Sequence, residues 1–222
     1  MKHNLLLLAA LICASAETRA ATVIETLPYR ITAPGTYELK KNLTVNGVDG
    51  IDVNASNVSI DLGGNTLTQS TPGNGNGIFV SPGLSNVSVQ NGTLAGFNTG
   101  VYFGPGSGDT LTNVQLRDIG SLGVLIKAND CLINNCTIAG ATGNGATGIY
   151  ISKCGGIRAV NNHFCACNYG INEYSVSKPN AFVGNDEVNC THGLSLESSS
   201  NDQEKIRNQL PDPWTGRHVW IV

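Results

Sequence analysis

The sequence predicts an all-β solenoid, with short strands wound into about seven stacked rungs of 22–27 residues. Three observations predict it. The first is a glycine followed by an alternating aliphatic pair, as "GIDV" from Gly50, "GIFV" from Gly77, "GVYF" from Gly100 and "GVLI" from Gly123. It returns as "GIYI" from Gly148, "GINE" from Gly170 and "GLSL" from Gly193, with spacings of 27, 23, 23, 25, 22 and 23. The second is a marker that repeats in phase with the first: "LGGNTL" (62–67), "VQNGTL" (89–94), "LTNVQL" (111–116) and "INNCTI" (133–138), with looser copies "VNNHF" (160–164) and "VGNDEV" (183–188). The third is composition: 27 glycines and only 13% charged residues argue against a helical bundle and against a charge-rich disordered chain.

A rung of this length holds two or three strands of three to five residues joined by tight turns. One rung cannot bury its apolar side alone, but stacked rungs pair every strand with its neighbours and share one core. Apolar residues alternate along each strand and β-branched residues dominate, which excludes helical rungs. The leucine-rich consensus of another solenoid class is missing. The pattern therefore fits a single-stranded parallel β-helix with about three faces.

Taken in order, residues 1–20 have a basic start, a Leu-rich stretch and a small-residue end, the pattern of a secretory signal peptide cleaved after residue 16 or 20. The alternatives are a buried N-terminal helix and a lipid anchor at Cys13. The apolar run is short for a membrane span, and no later segment suits one. The expected location is secreted or periplasmic. Residues 21–197 form the solenoid, with 22–36 expected to cover its first rung through a short strand near Tyr29. Asn91, Asn113, Asn135, Asn162 and Asn185 are expected at one turn position of successive rungs, as a structural ladder of amides. Residues 198–222 leave the repeat and are expected to cap the far end: a short helix over 202–210 and a last strand over 219–222, or else a disordered tail. Net charge is −3 with scattered Lys and Arg, so no nucleic-acid footprint is expected.

The stretches "APGTYELKKNLTV" (33–45) and "NVSIDLGGNTL" (57–67), with the repeated G-I-x-V and N-N-x-x-I copies, resemble the right-handed parallel β-helix proteins of the pectate-lyase-like superfamily. The resemblance covers roughly residues 29–197. Right-handedness follows from it and from the usual hand of crossovers. It implies that a polysaccharide would lie along the glycine-led sheet face, and that any activity would be that of a polysaccharide lyase or a glycoside hydrolase.

On that face the outward column is Asp52, Phe79, Tyr102, Leu125, Tyr150, Asn172 and Ser195. Rungs ~4.8 Å apart make Phe79 to Tyr150 an apolar, largely aromatic strip, suited to stacking on sugar rings or to packing under a covering loop. Phe79, Tyr102, Tyr150 and Asn172 are the candidate substrate-binding residues. The next outward column contains Lys127, the one base in its middle. The superfamily's lyases use such a base beside an acid-held cation, and no acidic cluster accompanies Lys127, so no metal or cofactor is expected. The paired acids of the related polygalacturonases and the acid-His-Asp signature of the alginate epimerases are also absent.

Glu173 occupies an inward position held elsewhere by Val53, Val80, Phe103, Ile126, Ile151 and Leu196. Either the strand bulges and turns it outward, or it stays inside with a partner. Lys127 and Glu173 are the weak catalytic candidates, and no complete catalytic motif is present. Cys167 and Cys190 each precede an anchor glycine by three residues, so they stack on adjacent rungs, as a disulfide or as a thiol pair. The functional expectation is an exported protein that binds a polysaccharide or cell-surface glycan, with modification of it as the further expectation. The alternative is a non-catalytic structural or adhesin-like solenoid, including a truncated lyase relative.

Overall fold

The computed structural model describes residues 20–140 and 146–196, and the strand Val219–Ile221. Every element among them is a β-strand, and every strand pairing is parallel. Two sheets build the solenoid. A nine-stranded sheet forms the first face: Tyr29–Ile31, Ile51–Val53, Asn74–Val80, Phe97–Phe103, Leu122–Ile126, Thr147–Ser152, Tyr169–Tyr174, His192–Leu196 and Val219–Ile221. A thirteen-stranded sheet wraps the other two. Its second face runs from Thr22–Ile24 and Gly35–Leu39 to Ala181–Val183. Its third runs from Leu43–Val45 to Asp186–Val188. The two faces are joined because Val87–Ala95 and Thr110–Arg117 continue through the corner between them.

Alternation sets which side chains enter the core. Ile51, Ile78, Val101, Val124, Ile149 and Ile171 form one inward row on the first face, and all are buried. Leu67, Leu94, Leu116, Ile138 and Phe164 form the facing row on the third. Each such burial contributes about 1.5–3 kcal/mol, so the shared core supplies what no single rung can.

The anchor glycines are required by close approach. A Cβ on Gly50, Gly77 or Gly100 would lie 2.6 Å from the carbonyl oxygen of the next anchor glycine. None of the three has a positive φ, so the requirement is space, not backbone conformation.

The asparagine ladder departs from expectation by one position. Asn91, Asn113, Asn135 and Asn161 turn the chain with φ of 52–58°, and Asn135 Nδ2 donates to Asn113 Oδ1 at 2.7 Å. Asn162 and Asn185 lie one residue further on, where Cys136 and Val114 stand in earlier rungs, and they point inward. There Asn162 Nδ2 donates to Ile133 O and to Asn185 Oδ1, each at 2.9 Å. Gly184 takes the turning position in the last of these rungs.

At the N-terminal end, Thr22–Ile24 pairs with Gly35–Leu39 and Tyr29–Ile31 with Ile51–Val53, so residues 22–36 cover the end as an incomplete rung. At the other end Val219–Ile221 pairs with His192–Leu196. The expected signal peptide and the expected helix over 202–210 lie outside the described residues.

Candidate functional site

Strand register brings the predicted column together on the first face. Arg30, Asp52, Phe79, Tyr102, Leu125, Tyr150, Asn172 and Ser195 lie side by side, one per rung. The Phe79 and Tyr102 rings stack with centroids 4.9 Å apart and planes 9° apart. The Lys127 ammonium sits 5.6 Å from the Tyr102 ring centroid, within cation–π reach. Phe79, Tyr102, Leu125, Lys127 and Tyr150 are all half-buried, so solvent reaches the strip.

The two ends of the column differ. Leu125 separates Tyr102 from Tyr150, which therefore stands between a leucine and Asn172. Asp52 is engaged by Arg30 at 3.2 Å in an exposed ion pair, which contributes little to stability. Beside the strip, Ser81 Oγ donates to Asn54 Oδ1 at 3.0 Å. Among the described residues the face thus offers aromatic surface, the Lys127 ammonium, a few hydroxyls and amides, and the Arg30–Asp52 pair at its N-terminal end.

Glu173 stays inside. It is 4% exposed, and its Oε1 accepts a hydrogen bond from Asn180 Nδ2 at 2.6 Å. Asn180 Oδ1 in turn accepts from the Ile157 N–H at 2.8 Å. The carboxyl is thus part of an interior polar link at a corner, on the opposite side of the sheet from the aromatic strip. The structure does not bring Glu173 and Lys127 together.

Cys167 and Cys190 face each other as thiols at the corner between the third and first faces. The register on either side is set by Ala166 N–H donating to Val188 O at 2.9 Å and Thr191 N–H donating to Cys167 O at 3.0 Å. The Cys167 thiol hydrogen-bonds Cys190 and draws it below the usual thiol range, to about 7, against the opposing effect of burial. Cys136 and Cys154 behave oppositely, each pushed up to about 11 by burial. Burial drives Cys131 higher still.

Sequence reasoning missed three features. His163 Nδ1 meets Asp186 Oδ2 at 2.8 Å on the third face. Tyr169 and His192 stack at 4.6 Å along one edge of the first. Asp109 is fully buried, with Oδ1 accepting from the Val87 N–H at 2.9 Å. Its Oδ2 has no hydrogen-bond partner among the described residues. Burial raises its pKa from the ordinary 3.8 to about 6, although the Val87 bond works the other way. A register alignment would have found it, because Val87, Cys131 and Ile157 hold the same position in neighbouring rungs.

Among the described residues no group of three or more metal-capable side chains converges, and no helix is long and apolar enough to cross a membrane.

Stacked parallel rungs with inward aliphatic rows and corner asparagines define the class, a parallel β-solenoid. The family model for the right-handed β-helix region matches residues 34–186 and 99–209, and the chain belongs to that family. No curated protein and no solved structure matches it.

Proposed function

We propose that the chain is an exported, glycan-binding β-helix whose platform is the aromatic strip of the first face. The observation that carries this reading is the solvent-reached Phe79–Tyr102 stack with the Lys127 ammonium above it. Aromatic faces pack on the apolar faces of sugar rings, and tyrosine adds a hydroxyl that can hydrogen-bond. An ammonium held over a ring favours a carboxylated sugar, so an acidic polysaccharide suits the face better than a neutral one. Lys127 serves in this reading as a charge, held over the Tyr102 ring where it would meet a sugar carboxylate. The signal-like residues 1–20 support an extracellular or periplasmic setting.

A second reading, a structural or adhesin-like solenoid, draws on the same stack. Rings one rung apart stack through solenoid packing alone, and no ligand is needed to account for them.

The test is titration of the protein against neutral and uronate-containing polysaccharides, with Tyr102→Ala alongside. Loss of one stacking ring weakens binding about tenfold if the strip is the platform. Absence of binding to every glycan, or binding that Tyr102→Ala leaves unchanged, would leave the structural reading in place.

A further inference from the structure

We propose that Cys190 and Cys167 form a thiol–disulfide exchange site at the C-terminal end of the solenoid, taking a low-molecular-weight disulfide as its partner. The geometry carries the pairing. Both cysteines follow a residue in the left-handed conformation, Ala166 with φ of 54° and Asn189 with φ of 56°. The corner therefore has the same shape in both rungs, and the two side chains leave it in the same direction. Hydrogen bonds on either side fix the register, so the cysteines are direct neighbours. Strands ~4.8 Å apart fall within the Cα separation a disulfide accepts.

The same geometry makes the bridge reversible. Parallel stacking leaves the Cβ atoms ~4.8 Å apart, whereas a relaxed disulfide has them near ~3.8 Å. Closing the bond must draw the corners together by about 1 Å, and a strained bridge is more readily reduced. The strain falls where the structure can yield, because Cys190 lies beyond Asp186–Val188, a strand that among the described residues pairs only with His163–Cys165.

Exposure and chemistry assign the two roles. Cys167 is buried and Cys190 is half-exposed, so Cys190 meets the incoming disulfide. The contact with Cys167 favours its thiolate, which His163 also supports and the Glu187 carboxylate opposes. Cys131, Cys136 and Cys154 are sealed in the core with raised pKa values. Cys165 lies on the strand His163–Cys165, two residues from Cys167 and on the outward side of the third face.

The Cys190 thiolate attacks one sulfur of the external disulfide, whose S–S bond breaks to release one small thiolate. Cys167 loses its proton to solvent and attacks the Cys190 sulfur of the mixed disulfide, releasing the second. Two protein thiols are oxidised and one external disulfide is reduced to two thiols. An external dithiol reverses the sequence.

The experiment treats the full chain with oxidised glutathione, alkylates the remaining thiols and maps every cysteine by mass spectrometry. Wild type is expected to lose two hydrogens and yield a peptide cross-linked between Cys167 and Cys190, restored by dithiothreitol. Cys167→Ser should stop at the glutathione mixed disulfide on Cys190. A mapped alkylation of untreated wild type needs no variant, and Cys190 should react at least about tenfold faster than the buried Cys131 or Cys154. Full alkylation of both cysteines after glutathione treatment would overturn the proposal. So would modification of Cys165 in preference to Cys190.

Discussion

The central rungs and the last rungs share one backbone plan but are filled differently. In the central rungs the inward row of the first face is Val80, Phe103, Ile126 and Ile151, all fully buried. In the next rung Glu173, held by Asn180, interrupts that row, which resumes with the buried Leu196. On the third face Leu94, Leu116, Ile138 and Phe164 give way to Glu187, which lies against Gly170 and Gly193. At the corner, Val114 and Cys136 give way to Asn162 and Asn185. The outward column changes at the same place, from Phe79, Tyr102 and Leu125 to Asn172 and Ser195. At these positions of the last described rungs polar groups replace apolar ones, while Ile171, Phe182, Leu194 and Leu196 keep the apolar core continuous. A solenoid permits this because each rung depends only on its neighbours.

The largest expected effect tests that gradient with one substitution made twice. Phe103→Ala removes a fully buried ring with rungs on both sides and should cost about 3–5 kcal/mol. Phe182 is also buried but lies on Ala181–Val183, the last strand of the second face among the described residues, paired there only with Arg158–Val160, so the surroundings can collapse into the gap. Phe182→Ala should cost less than about half as much. Urea unfolding of both variants measures the difference, and equal losses would mean that the last rung is as firmly packed as the centre.

Asp109 is the exception among the central rungs, a buried carboxyl in a row otherwise filled by Val87, Cys131 and Ile157. Its folded pKa of about 6 stands above the ordinary 3.8, so the folded state binds the proton more tightly. Its contribution is therefore most favourable below the unfolded value and is lost as pH rises through about 6. Asp109→Asn keeps an oxygen for the Val87 N–H and removes the ionisation. It should raise stability at pH 7 by roughly 1–3 kcal/mol and flatten the pH dependence between 4 and 7. Thermal melts across that range report the outcome, and a variant with the same pH profile as wild type would show that another group sets it.

What the sequence made legible follows from periodicity. The glycine anchors placed seven of the nine first-face strands, all but Tyr29–Ile31 and Val219–Ile221, and the outward column came out in register. The failures arose where residue type and backbone role part company. At Asn161 and Asn162 two asparagines are adjacent, and only the backbone shows that the first turns the chain while the second enters the core. At Gly184 a glycine takes the turning position, so matching asparagine to asparagine slipped the ladder by one. Asp109 sits in "GSGDT", which reads as a turn, although its register position is a core position. The His163–Asp186 contact was hidden because its partners come from different repeats of dissimilar sequence.

The smallest expected effect lies where the two regions meet on the outer face. Tyr150 has Leu125 on the central side and Asn172 on the other, so neither neighbour in its column stacks a ring on it. Tyr102, by contrast, is backed by Phe79 and covered by Lys127. A sugar on Tyr150 would gain one unsupported ring, whereas a sugar on Tyr102 meets a ring already held flat. Tyr150→Ala should therefore weaken glycan binding less than about threefold, against about tenfold for Tyr102→Ala. Isothermal titration of the two variants on one acidic polysaccharide compares them directly. Equal losses would extend the platform across Leu125 and move its boundary beyond the point where the interior changes. A larger loss at Tyr150 would place the ligand over the polar rungs instead, with Asn172 as its next contact.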